Sequence, residues 1–225
     1  MSTRGARLGR LPNASFRAPG IVRRKRLLAA ARVLLRRRDL DQISLADVAR
    51  AARIPKGSAY HYYGDIIDLY VALIGVLGEE MLEDVRRPLR GPARRSWHDI
   101  VAALVRRGAQ YFNDHRAARQ LLISPKTPPE LKLRDRQSDK RIARLFEEQI
   151  ERRFVLPRWA GRTETFFRAV EIADLMFSLS MLEHGCITAQ MTEEAIRGVT
   201  GYLRSHLATR LPRRAATAPE RRTHV

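Results

Sequence analysis

Apolar residues recur along this chain at i, i+3, i+4 and i+7 almost from end to end, the spacing that gathers them on one face of an α-helix. No alternation of apolar and polar residues persists long enough to read as a strand, and nothing repeats at a fixed period. The pattern predicts a first helix over 21–38, with Leu27, Ala31, Leu34 and Leu35 on one face. Breaks at 39–42, 53–55 and Gly64 cut out two short helices, 44–52 and 55–62. Longer helices follow at 65–87, 97–114, 130–155, 163–185 and 192–209, with a short piece at 116–123. The fold class expected is all-α.

Helix starts are signposted. Ser44-x-x-Asp47, Asp65-x-x-Asp68, Ser96-x-x-Asp99 and Thr127-x-x-Glu130 each put an oxygen acceptor at a break in the pattern and an acid three residues on. The cap oxygen accepts an orphan backbone N–H, and the acid reaches back toward the cap. Pro128 then falls at the first helical position, where its missing N–H costs nothing.

Composition narrows the class. With 225 residues, 44% hydrophobic and 30% charged, the chain is long enough to bury a real core and is neither disordered nor fibrous in type. The single cysteine, Cys186, excludes a disulfide framework and a cysteine-rich zinc site and fits a reducing compartment. The longest apolar run, 69–78, lies between Asp68 and Glu79 and is too short to span a bilayer. Arg4, Arg7, Arg10 and Arg17 interrupt the region where a signal peptide needs an unbroken apolar stretch. A cytoplasmic protein with no membrane partner is expected.

Charge points to a partner. The net charge is +19, and residues 1–64 hold 15 basic against 3 acidic groups. The first 26 residues have no acid at all, and a second basic cluster ends the chain. A positive N-terminal third is the footprint expected for a polyanion partner. The glycine- and proline-bearing stretch 1–20 reads as a flexible basic arm, and 211–225 as a flexible basic tail.

Residues 44–63, SLADVARAARIPKGSAYHYY, bring these signals together. Leu45, Val48, Ala49 and Ala52 form the buried face of one short helix, Ile54 plugs the turn, and Ala59 and Tyr63 anchor the next. The outer face of that second helix shows Lys56, Gly57, Ser58, Tyr60, His61 and Tyr62. This is helix-turn-helix patterning, in which the first helix braces a second that enters the DNA major groove. Lysine and backbone N–H groups suit phosphate oxygens, while serine, histidine and tyrosine reach phosphates or base edges.

The stretch from Arg23 to Leu77 resembles the DNA-binding head of the TetR family of bacterial transcriptional regulators. The matching residues are Leu28 and Ala31, then Ile43-Ser44-Leu45-x-Asp47-Val48-Ala49, then Ala52-x-Ile54-Pro55-Lys56-Gly57-Ser58-x-Tyr60-His61-Tyr62-Tyr63, and Leu69. The resemblance implies a homodimer with small heads on larger helical ligand-binding bodies. By position, Ser44, Lys56, Gly57, Ser58, Tyr60, His61 and Tyr62 fall where family members touch DNA. Two departures stand out. Arg53 occupies the turn where the family usually has glycine, and a non-glycine residue there carries a positive φ or a reshaped turn. Ile66 stands where the family tends to place a phosphate-binding lysine; the basic arm is a candidate replacement.

The organisation expected is therefore a basic arm (1–20), a three-helix helix-turn-helix head whose linking helix follows (21–79), a larger dimerisation and ligand-binding body (80–210) and a tail (211–225). Helices 163–185 and 192–209 are apolar on more than one side, which predicts burial on most sides. The pattern nominates Phe166, Val170, Phe177, Met181, Val199, Leu203 and Leu207 for a dimer interface. An effector pocket lined by Trp97, Phe112, Phe146 and Met176 would lie between the body helices, with Arg106, Arg107, Arg141 and Arg144 as anchors for an acidic ligand. Catalytic signatures are lacking: His98/Asp99, Asp114/His115 and Glu171/Asp174/Glu183/His184 have no spacing tied to a mechanism. No cofactor and no metal are expected. The function read from the sequence is a sequence-specific regulator binding a palindromic double-stranded operator, most simply a repressor released by an apolar or amphipathic effector. The rival is an architectural, nucleoid-type or RNA-binding basic helical protein with no effector.

Overall fold

The computed structural model describes residues 18–91 and 95–214, with side chains except at 18, 19 and 133–137. Most of the basic arm and most of the tail thus lie outside the described residues. Nine α-helices carry the fold. The head contains α1 (Ala18–Leu35), α2 (Leu45–Ala51) and α3 (Lys56–Tyr62). The link is α4 (Ile66–Arg86), and the body holds α5 (Trp97–Asp114), α6 (Arg116–Ala118), α7 (Pro129–Glu151), α8 (Arg162–His184) and α9 (Ala189–Arg204). Among the described residues the only β-pairing is an isolated bridge between Phe154 and Arg213.

Three of the four expected caps form. Ser44 and Ser96 each accept the N–H of the acid three residues on, and that acid's carboxylate accepts the serine N–H. Asp65 accepts from Asp68, whose own carboxylate reaches the N–H of Gly64 instead. Thr127 departs from expectation: its hydroxyl donates to the Gln120 carbonyl at 3.0 Å, and Pro129, not Pro128, opens α7. Two boundaries also move. Helix α1 stops at Leu35 rather than 38 because the carbonyls of Leu35 and Arg38 are taken by Gln120 from the body. Helix α7 stops at Glu151 because the chain turns at 152–154 and pairs with the C-terminal segment, Val155 donating to Pro212 and Arg214 to Arg153.

One hydrophobic core runs from the head through the body. Leu27, Ala31 and Leu35 of α1 meet Leu45, Val48 and Ala49 of α2 and Leu69 and Leu73 of α4 in that core, all buried. Val76, on the expected inner side of α4, is instead 40% exposed. Helix α4 packs on α5 and α7, α7 on α8, and α8 on α9. Gly185, at φ 68°, ends α8 in the left-handed conformation that glycine adopts without strain. The returning loop is fastened by Asn113, which donates to the Ile187 carbonyl and accepts its N–H.

Candidate nucleic-acid interface and body cavity

Helix α3 is short, and the head positions it from three sides. Ala59 is fully buried and Tyr63 5% exposed, so this face locks onto the core. Arg26 of α1 donates to the Ala52 carbonyl at 2.6 Å and Arg24 to that of Tyr62 at 3.3 Å, tying α1 to both ends of α3's support. The Arg24 guanidinium also lies over the Tyr63 ring, 5.4 Å from its centre. Burial pushes the Tyr63 hydroxyl pKa up. At the other end of α2, the Ser44 hydroxyl holds the Asp47 carboxyl below the usual carboxylate range, with Arg38 and Arg50 adding to the effect.

The opposite face of α3 is open. Lys56, Gly57, Tyr60 and His61 are exposed, and Ser58 and Tyr62 are half-buried. Lys56 Nζ sits 5.7 Å from the centre of the Tyr60 ring, and the His61 and Tyr62 rings meet edge-on at 5.6 Å. The structure thus gathers six of the seven predicted contact residues on one helix. The seventh, Ser44, is exposed at the start of α2 with its hydroxyl engaged in the cap. A rigid helix showing lysine, serine, histidine and tyrosine outward, on a head of strongly positive charge, matches the chemistry of a duplex.

The matches to known proteins follow the same division. Residues 27–73 match the family model described as bacterial regulatory proteins, tetR family, and residues 95–207 match the tetracyclin repressor-like C-terminal domain. The chain belongs to the TetR family. It is thus a TetR-family transcriptional regulator, and its family relatives are regulators, not enzymes. No curated protein matches the chain. Among solved structures it is similar to a TetR-family transcriptional regulator from Streptomyces coelicolor, at 22% identity and TM-score 0.64, over 82% of this chain and 99% of that one. One from Pectobacterium atrosepticum matches at 19% identity and TM-score 0.60, over 86% and 98%. One from Rhodococcus matches at 14% and 0.62, over 82% and 97%.

The body of this TetR-family chain departs from the sequence expectations in two places. An enclosed cavity of about 20 Å³ lies between α4, α5, α7 and α8, lined by Gly78, Met81, Phe112, Leu122, Ile142 and Val170 with Ser138, Asp139 and Asp174. Of the four nominated residues Phe112 lines it. Trp97 is held at the far end, its indole N–H donating to Ala208, and Phe146 and Met176 pack elsewhere. The arginines nominated as anchors do not line it either. Arg106 pairs with Glu193, Arg141 with Glu79, Arg107 donates to carbonyls ending α4, and Arg144 is exposed.

The second departure concerns the nominated interface. Phe166, Val170, Phe177, Val199, Leu203 and Leu207 are each 5% exposed or less within one chain. They join α8 and α9 to each other and to the rest of the body, Phe177 meeting Phe112 edge-on, and so are unavailable to a second copy. Met181 is half-buried. Periodicity marks a buried face but does not say which neighbour buries it. The outward apolar residues of α8 are Leu175, 56% exposed, and Leu182, 66% exposed.

Among the described residues no group of three or more His, Cys, Asp or Glu is placed to hold a metal ion. No helix among them is long and apolar enough to cross a membrane.

Proposed function

We propose that this TetR-family regulator binds a palindromic operator as a homodimer, represses transcription there, and leaves the site when an apolar or amphipathic small molecule enters the body. The observation that supports this most directly is the continuity of α4. One unbroken helix runs from Leu69 and Tyr70, buried in the head, to Gly78 and Met81 at the body cavity.

Two copies of α3 fit successive major grooves only when their separation is about 34–36 Å or a multiple of the helical turn. The dimer we propose uses the outer surface of α8 and α9, with Leu175 and Leu182 in the contact. The cavity holds about one water, so a ligand must part the helices that line it. A molecule preferring the parted state draws the dimer toward a head spacing that no longer fits the operator, by its differential affinity for the two states. The polar groups around the cavity are Ser138, Asp139 and Asp174 rather than arginines, which favours an effector carrying hydrogen-bond donors over an acidic one.

The test is selection of duplexes from a random pool by the full-length protein, followed by ligand affinity with and without the selected duplex. A palindromic consensus and weaker ligand binding on DNA are expected. Equal affinity for all duplexes would return the architectural alternative, and equal ligand affinity in both states would remove release by an effector.

A further inference from the structure

Helix α2 ends in a turn that glycine makes most easily, and the chain places an arginine there. Arg53 has φ 54° and is the single non-glycine residue in the left-handed region among the described residues. Its N–H donates to the Arg50 carbonyl at 3.1 Å, and the next N–H, of Ile54, reaches back to Ala49 at 2.9 Å. This pair of bonds closes a helix end around a left-handed residue. Ile54 is 6% exposed, so relaxing Arg53 would withdraw Ile54 from the core and displace Pro55 and α3 with it. A β-carbon in this conformation crowds its own backbone, a cost glycine avoids.

The side chain that brings this cost adds nothing to packing. Arg53 is exposed, and no ion pair or side-chain hydrogen bond within the described residues engages its guanidinium. Its neighbours differ: Arg50 pairs with Asp47 at 3.3 Å, Arg38 lies 3.8 Å from the same carboxylate, and Arg24 and Arg26 are bound to backbone carbonyls. From α2 through α3, the cations left without a carboxylate or carbonyl are Arg53 and Lys56, three residues apart at the leading end of α3.

We infer that Arg53 is a DNA-backbone contact, a guanidinium held beside α3 to grip phosphate oxygens at the expense of a strained turn. The inference rests on the reading of α3 as the helix that enters the groove. A planar guanidinium offers two parallel donors to one phosphate, and a backbone contact strengthens binding to every sequence alike.

The test compares wild type, Arg53→Gly, Arg53→Ala and Arg53→Lys as full-length proteins. Affinity is measured by fluorescence anisotropy over a range of salt, on a duplex selected by the wild-type protein and on a random one, alongside thermal unfolding. Arg53→Gly and Arg53→Ala should weaken both duplexes several-fold and lower the slope of log affinity against log salt by about 0.9, the release of one counterion contact. Arg53→Lys should keep the slope. Arg53→Gly alone should raise the unfolding midpoint, so that one substitution stabilises the fold while weakening DNA binding. A residue that merely fills the turn would move stability alone. Unchanged affinity and slope in both Arg53→Gly and Arg53→Ala overturn the inference. Failure of the wild-type protein to bind any duplex in a salt-dependent way overturns instead the reading on which it rests.

Discussion

The side-chain oxygen of Gln120 accepts the backbone N–H of Leu40 at 2.8 Å, across the boundary between body and head. The nitrogen of the same amide donates to the carbonyls of Leu35 at 2.7 Å and Arg38 at 2.9 Å. One buried side chain therefore satisfies the end of α1 and the turn that follows it. Gln120 lies on a π-helical turn, Arg119–Ile123, whose Leu122 lines the body cavity. Alongside, Arg32 of α1 grips Glu80 of α4 through two bonds of 2.5 and 2.8 Å, and Arg116 pairs with Asp39 at 2.9 Å. Head and body are joined by α4 and also by this second seam.

Replacing Gln120 by Leu should leave these backbone groups buried without partners, at a cost of about 1–3 kcal/mol for each unsatisfied group. Thermal unfolding of Gln120→Leu is expected to shift clearly downward, with duplex affinity reduced because the head is less firmly placed. An unfolding midpoint equal to that of the wild type would show that the seam contributes nothing.

Substitutions on the outer face of α3 should separate grip from reading. Lys56→Ala is expected to weaken every duplex and lower the salt slope by about one, whereas His61→Ala and Tyr60→Ala should reduce the preference for the selected duplex over a random one. Lys56, Tyr60 and His61 are exposed, so circular dichroism should show an intact fold. If the Lys56→Ala/His61→Ala double variant bound the selected duplex as tightly as wild type, α3 would not be the reading helix.

The two apolar surfaces of α8 should respond in opposite ways to a charge. Leu175→Asp and Leu182→Asp place it on the outside and should give a folded monomer in sedimentation. Phe177→Asp buries a carboxylate in a site 2% exposed and should prevent folding outright. A dimer that survives the paired Leu175→Asp and Leu182→Asp change would mean that another surface holds the two copies together.

Acid should act through His98. Its ring stacks on Trp97 at 3.8 Å, and burial, aided by the nearby Arg204, pushes its pKa below the ordinary 6.5. Because the folded pKa is the lower one, the unfolded chain binds the proton more readily. The stability contribution is therefore complete above about pH 6.5 and declines as pH falls from there toward the folded pKa. His98→Gln should flatten this part of the stability–pH curve, measured by urea unfolding. An identical slope in wild type and variant would assign the acid response to other groups.

How much was legible in the chain differs between head and body for a physical reason. Head signals are local: the Ser44–Asp47 cap lies within one turn, Ile54 and Ala59 mark the inner sides of adjacent short helices, and the chain between them is too short to choose another arrangement. The helices, the positive φ considered for Arg53 and the outward set from Lys56 to Tyr62 follow from spacings that neighbouring residues enforce. In the body the spacing showed which sides of α8 and α9 are buried. It could not show that Val170, Phe177 and Leu203 are covered by their own chain, because an apolar stripe is satisfied equally by any apolar neighbour. Thr127 was likewise read as a cap until Gln120, seven residues away and reached through a π-helical turn, supplied a carbonyl. The sequence by itself determined the helices and the DNA-facing set, since those depend on near neighbours. Tertiary packing alone decided the cavity lining, the free outer face of α8 and the seam through Gln120, since each depends on which distant segments meet.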